Sequence, residues 1–138
     1  MDLKLRVCFI TVDDHEKALA FYRDVLELQV VNDVSFEQMR WLTLTPPAQP
    51  GVEICLVTPT QNPDASPADR EAAAALLAKG LLSGVIFDTD DCDAVFEKVS
   101  ASGAEVLQEP IDQFFGYRDC AFRDPAGNMV RFSQPLRR

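Results

Sequence analysis

Two segments of the chain repeat one order of structural signals: FITVDDHEKALAFYRDVLELQVV, residues 9–31, and VIFDTDDCDAVFEKVSASGAEVL, residues 85–107. Each segment has a strand-like apolar run, an aspartate pair that can cap a helix, an amphipathic helix and a second apolar run. The aspartates at 13–14 in the first segment align with those at 90–91 in the second. A repeat of this length predicts a fold built from two similar units.

Further strand signals follow each repeat. RWLTLT (40–45) and VEICLVT (52–58) follow the first, and YRDCAFR (117–123) and MVRFSQ (129–134) follow the second. Both halves therefore read strand, helix, strand, strand, strand, which predicts an α+β fold of two βαβββ modules. We place the first module at 1–58, a linker at 59–82 and the second module at 83–138.

Helices are predicted near residues 14–26 and 91–102, on the convex side of the sheets. The linker contains a third helix near 67–79, because the alanine-rich run there starts with Ser66 as N-cap and Pro67 at the first helical position.

Composition excludes several partners. The chain has 138 residues, with 22 acidic and 13 basic side chains and a net charge of −9, which opposes binding to the phosphates of nucleic acid. It has no apolar run of the roughly 18 residues that cross a bilayer and no leader-like N-terminus, so we expect a cytoplasmic protein without a membrane partner. Its four cysteines lack CxxC spacing, and we expect buried, reduced thiols.

The paired modules carry the stretches TVDDHEKALAFYRDVLEL (11–28), SASGAEVLQEP (100–110) and AFRDPAGNMVRFSQP (121–135). Together these resemble the vicinal oxygen chelate superfamily, which includes glyoxalase I, extradiol dioxygenases, fosfomycin-resistance enzymes and bleomycin-resistance binding proteins. The most specific stretch is DPAGNMVRFSQP, which is similar to the family pattern DPxGNxxEL. The resemblance covers nearly the whole chain and implies curved sheets around a cavity, in a homodimer.

Enzymes of that superfamily bind a divalent metal through His or Glu side chains on the first and last strands of each module. Carried over to this chain, the four positions are Val7, Glu53, Gly84 and Arg131. Only Glu53 can ligate a metal, since valine and glycine have no donor and a guanidinium repels a cation. We therefore expect no metal and no cofactor.

The resemblance implies that Arg131 and Glu53 converge, so we expect them to form an ion pair, within one chain or across a dimer. The pair could simply close a lost metal site. Alternatively, Arg131 could bind an anionic or carbonyl-bearing ligand, with Glu53 orienting it. The one histidine, His15, is expected to be a solvated residue at the start of a helix.

Strand alternation places Phe9 and Cys55 on the concave face. It leaves Trp41 and Thr43 for the same face, because Leu42 and Leu44 are assigned to the helix side. The loop at 114–119 is either a satellite of the core or a wall that stacks on a flat ligand. The candidate ligand-binding residues are Phe9, Trp41, Glu53, Phe115, Tyr117, Asp119 and Arg131.

Three functions remain open at this point. The first is metal-independent binding or sequestration of a small aromatic or polar molecule. The second is a lyase-type or dioxygenase-type enzyme with an atypical metal site, or with Glu53 as the base. The third is a regulatory or assembly subunit whose cavity has no ligand. The sequence leaves open whether the protein is an enzyme.

Overall fold

The computed structural model describes residues 1–136 and contains two four-stranded sheets. The first sheet has the order β1-β4-β3-β2, and the second has the order β5-β8-β7-β6. In each sheet the first strand pairs with the last in parallel, and the other pairs are antiparallel. The strands are β1 (Val7–Thr11), β2 (Gln29–Phe36), β3 (Met39–Thr45), β4 (Glu53–Val57), β5 (Gly84–Asp88), β6 (Val106–Asp112), β7 (Tyr117–Arg123) and β8 (Met129–Pro135). This topology confirms the prediction of two βαβββ modules.

The predicted helices are present with nearly the predicted bounds. They are α1 (His15–Leu19), which continues into a π-helical segment (Ala20–Val25), α2 (Pro67–Ala78) and α3 (Cys92–Ala101), with a short 3₁₀ turn at Pro59–Gln61. The second aspartate of each pair is the N-cap: Asp14 accepts backbone N–H groups of α1, and Asp91 accepts one of α3. Ser66 caps α2 in the same way.

The core lies between the helices and one face of each sheet. Consecutive residues of β3 (42–45) and β4 (54–56) are buried, and among them Leu42, Leu44 and Leu56 are fully shielded from solvent. In the second sheet, Phe122 and Val130 are equally buried. Each such side chain stabilises the fold by about 1.5–3 kcal/mol. The candidate site lies on the opposite face of the second sheet, the face that carries Ile86 and Arg131.

The DPAGN turn joins the two modules. The Asp124 carboxylate accepts hydrogen bonds from the backbone N–H groups of residues 126–128, each at 2.9 Å. It also accepts a hydrogen bond of 2.7 Å from the hydroxyl of Tyr22, in the first module. The amide of Asn128 donates to the carbonyl oxygen of Thr11 at 2.7 Å. The stretch that carries the family resemblance is therefore a structural junction.

The four cysteines are free thiols. Three are buried as expected, but the expectation is wrong for Cys8, whose side chain is exposed at β1. Burial, together with the neighbouring Cys92, raises the pKa of the Cys120 thiol to about 12. Within residues 1–136, no helix has both the length and the apolar character needed to span a membrane.

Candidate functional site

A cavity of about 540 Å³ opens on the face of the second sheet that is turned away from the core. Its floor is formed by β5, β7 and β8, and its sides are formed by β6 and the loop at 113–116. Every lining residue belongs to the second module. These residues are Ile86, Asp88, Gln108, Gln113, Phe115, Tyr117, Asp119, Arg131 and Ser133.

Arg131 lies at the base of this cavity. Its Nη1 donates to Asp119 Oδ2 at 2.9 Å and to Gln108 Oε1 at 3.1 Å. Its Nη2 contacts the sulfur of Met129 at 3.8 Å. A guanidinium has five N–H donors, and within residues 1–136 its Nε–H and one Nη2–H have no acceptor. These two donors can bind an oxygen of a ligand.

The Asp119 carboxylate fixes the guanidinium in place. It is 2% exposed, and its Oδ1 accepts hydrogen bonds from Gln108 Nε2 at 2.8 Å and Gln113 Nε2 at 2.9 Å. Burial acts to raise the pKa of Asp119, but the hydrogen bonds from Gln113, Gln108 and Arg131, with the positive charge of Arg131, outweigh burial and lower it. Asp119 therefore stays ionised and holds Arg131 as an ion pair.

Aromatic rings form one wall of the cavity. The ring centroids of Phe115 and Tyr117 lie 6.1 Å apart, and both rings line the cavity. Between them, Gly116 has φ of 91°, a conformation that side-chain-bearing residues rarely adopt. The neighbouring Phe114 is 98% exposed and does not line the cavity. Phe115 and Tyr117 therefore lie beside Arg131 in the cavity, and their stacking on a flat ligand stays a prediction.

The expected pair between Arg131 and Glu53 is not formed within the chain. Glu53 accepts a hydrogen bond from Asn32 Nδ2 at 3.4 Å, and its other oxygen lies 3.7 Å from the guanidinium of Arg6. Glu53 is not among the residues that line the cavity. The carboxylate partner of Arg131 is Asp119, because β7 and β8 are adjacent whereas β4 belongs to the other sheet. Pairing across a dimer stays a prediction.

The strand register also changes which residue of the first module corresponds to Arg131 of the second module. Arg131 lies opposite Ile86 in the pair of β5 and β8, and Cys55 lies opposite Phe9 in the pair of β1 and β4. Phe9 and Ile86 are each the third residue of the first strand in their module, so Cys55 is the counterpart of Arg131. Glu53 lies two residues earlier. A shift of two residues keeps every side chain on its face, so alternation in the sequence does not reveal it.

The remaining predicted residues form a separate aromatic face on the first sheet. The rings of Phe9 and Trp41 meet edge to face with centroids 6.2 Å apart, and the two residues are 58% and 38% exposed. Thr43 and Cys55, predicted for the same face, are fully buried. The seven predicted residues therefore divide: four line the cavity of the second module, and Phe9, Trp41 and Glu53 belong to the first sheet.

The donors present do not fit the metal of the superfamily. Of the four positions carried over, only Glu53 has a metal-ligating side chain, and replacing it with Cys55, as the register indicates, again leaves a single donor. Arg131 brings a positive charge that Asp119 already balances. Within residues 1–136, no three His, Cys, Asp or Glu side chains are grouped in a way that could hold a metal ion.

His15 differs from its predicted solvated state. Its Nε2 donates a hydrogen bond of 3.0 Å to the carbonyl oxygen of Leu56, and the side chain is partly buried. The imidazole therefore ties α1 to β4. It does not line the cavity.

The seven predicted residues omit five residues of the cavity: Ile86, Asp88, Gln108, Gln113 and Ser133. Ser133 carried a signal, because it alternates with Arg131 along β8. Ile86 and Asp88 carried a signal, because alternation from Gly84 places both on the face of the sheet that Gly84 occupies. No sequence pattern identified Gln108 or Gln113 as cavity residues. Gln108 lies on β6, whose register with β7 shifts at a place that the sequence does not mark, and Gln113 lies in the loop after β6.

The fold and the site define a two-module protein whose second sheet carries a guanidinium held by a buried carboxylate. The sequence model of the Glyoxalase/Bleomycin resistance protein/Dioxygenase superfamily matches residues 4–132, and the chain belongs to this superfamily. This confirms the resemblance noted in the sequence.

Two solved structures are similar along almost the whole chain. One is UcmS2, at 30% identity and a TM-score of 0.87, covering 96% of this chain and 98% of that one. Another is TnmS3, an antibiotic binding protein from Streptomyces sp. CB03234, at 26% identity and a TM-score of 0.75, covering 97% of each chain. The uncharacterized protein YurT of Bacillus subtilis (strain 168) is 28% identical over 133 residues, 96% of this chain and 99% of YurT.

Proposed function

We propose that this protein binds and sequesters a small aromatic molecule without a metal. The observation that carries the proposal is the position of Arg131, which stands where the DPxGNxxEL pattern has its glutamate and is fixed there by Asp119. The antibiotic-binding name of TnmS3 supports a binding role for this chain by similarity.

The cavity has the chemistry that such a ligand needs. Its volume of about 540 Å³ lies within the range of small-molecule sites, roughly 300–1,000 Å³. Phe115 and Tyr117 offer faces for stacking on a flat ring. The two N–H donors of Arg131 that have no acceptor within residues 1–136 would hold a carbonyl, hydroxyl or carboxylate oxygen of the ligand. A flat molecule with one such oxygen fits the site.

The enzymatic alternative has weaker support. A general base must reach the reacting proton of a bound ligand, and Glu53 does not line the cavity. Its carboxylate instead contacts Asn32 and Arg6. Metal content in protein purified without chelator tests the other enzymatic route. One equivalent of zinc, nickel, manganese or iron would contradict metal-independent binding.

We further propose that the protein is a homodimer in the cytoplasm. The first sheet exposes large apolar side chains, including Phe9 and Trp41, and a partner subunit would cover them. Four free thiols are compatible with a reducing compartment. Light scattering measures the mass in solution, and a monomer would contradict the dimer.

The test of binding uses aromatic probes and one matched pair of variants. A library that includes tryptamine, tryptophol and indoleacetate is titrated into isotope-labelled protein, and binding is followed by NMR. Phe115→Ala should weaken each probe that binds about five- to thirtyfold, corresponding to about 1–2 kcal/mol for one stacking face. Phe114→Ala is the control, because this exposed neighbour lies outside the cavity. Equal effects of the two substitutions, or no bound probe, would refute the proposal.

A further inference from the structure

The cavity contains a third charged side chain that the ion pair at its base does not involve. Asp88 lies at the end of β5, opposite Ser133 of β8, and its side chain is exposed. The charge of Asp119 is balanced by Arg131 at 2.9 Å. Within residues 1–136, Asp88 has no ion pair and no side-chain hydrogen bond, so it leaves the cavity with one uncompensated negative charge.

Strand geometry sets the distance between the backbone positions of the two polar anchors, Asp88 and Arg131. Ile86 and Asp88 share one face of β5, and Arg131 lies opposite Ile86. Asp88 therefore lies two residues further along β5 than the residue opposite Arg131. With strands about 4.8 Å apart and a rise of about 3.3 Å per residue, the Cα atoms of Asp88 and Arg131 are about 8 Å apart. One aromatic ring system with a substituent at each end can span this distance.

We propose that the ligand of this cavity is an aromatic molecule with a basic alkylamine substituent, with its protonated nitrogen at Asp88 and a carbonyl or hydroxyl oxygen at Arg131. This inference rests on the proposed binding function and adds the charge of the ligand. A neutral oxygen accepts from the unused guanidinium N–H groups without disturbing Asp119. An ammonium group completes the charge balance of the cavity, and the net charge of −9 attracts cations to the protein.

A purely anionic ligand fits less well. Its charge would enter a cavity where Asp88 and Asp119 together outnumber Arg131. It would also compete with Asp119, which is 2% exposed and has its own hydrogen bonds from Gln108 and Gln113. The guanidinium alone therefore does not make the site anion-selective.

The experiment compares three probes that share one ring and differ in charge. Tryptamine is a cation, tryptophol is neutral and indoleacetate is an anion. Each is used with a hydroxyl group at position 5 of the indole ring, which supplies the oxygen for Arg131, and each is titrated into the full chain by NMR or calorimetry. Tryptamine should bind about two- to fivefold more tightly than tryptophol, as expected for one solvent-accessible ion pair. Indoleacetate should bind most weakly. Added salt should reduce the advantage of tryptamine.

Two variants test whether Asp88 causes the preference for the cationic probe. Asp88→Asn should reduce the affinity for tryptamine to that for tryptophol while leaving tryptophol unchanged. Asp64→Asn is the matched control, since it removes the same charge from an exposed residue outside the cavity. If indoleacetate binds most tightly, or if Asp88→Asn leaves the order of the probes unchanged, this inference is wrong and the binding function stands. If no probe binds, the binding function itself fails.

Discussion

Replacing Arg131 with methionine tests the ion pair on which the site is built. The substitution keeps an unbranched apolar stem but removes the hydrogen bonds to Asp119 at 2.9 Å and Gln108 at 3.1 Å. Asp119, 2% exposed, would then be a buried carboxylate with only the amides of Gln108 and Gln113 as donors.

The expected cost follows from burial. Breaking a buried ion pair by removing one partner costs about 3–5 kcal/mol. The Arg131 side chain is 23% exposed, so water can reach part of the site, and we expect a loss of about 2–4 kcal/mol at neutral pH. With about 2 kcal/mol per molar urea for a domain of this size, the unfolding midpoint should fall by about 1–2 M.

The assay is urea unfolding of parent and variant at one fixed protein concentration, because assembly would make stability concentration-dependent. The double variant Arg131→Met with Asp119→Asn is the control. The side-chain amide introduced at position 119 can still accept hydrogen bonds from Gln108 and Gln113 and can donate one to Gln108. Most of the lost free energy of unfolding should therefore return. A single variant as stable as the parent, or a double variant no more stable than the single one, would refute the reasoning.

The pH dependence supplies a second readout. The pKa of Asp119 is lowered in the folded protein from its ordinary value of 3.8, so the ion pair stabilises the fold above that pH. This contribution is lost as the pH falls through the lowered pKa of the folded state. Without Arg131 the buried carboxylate takes up a proton more readily, so the stability difference between parent and Arg131→Met should narrow in acid. A difference that stays constant from neutral pH down to acid would contradict the assignment.

Two further predictions concern the junction between the modules. Gly127→Ala should destabilise the fold by more than about 2 kcal/mol, because φ is 120° and a Cβ would meet a backbone carbonyl of α2 at 2.5 Å. Gly51→Ala is the control: it has open space around it and should leave the midpoint of thermal unfolding nearly unchanged. Tyr22→Phe should cost about 1.5–3 kcal/mol in urea unfolding, because it removes the hydroxyl that donates to the Asp124 carboxylate at 2.7 Å. An unchanged midpoint in Tyr22→Phe, or equal effects of the two alanine substitutions, would show that the junction does not hold the modules together.

The sequence by itself determined the architecture. The repeat at 9–31 and 85–107, with its aspartate caps and alternating apolar residues, gave the two modules and the bounds of their helices, because capping and side-chain periodicity act over a few neighbouring residues. The same alternation correctly separated Leu42 and Leu44 from the face that carries Trp41.

The tertiary structure alone decided which side chains meet. The pairing of Arg131 with Asp119 rather than Glu53 depends on β8 lying beside β7, and the counterpart of Arg131 depends on register that a two-residue shift conceals. The glutamines that hold Asp119 come from an irregular strand and a loop that approach it only after the sheet has formed. Local periodicity fixes the face of a strand on which a residue lies, whereas its partner across the sheet is set by strand order and register, which depend on residues far apart in the chain.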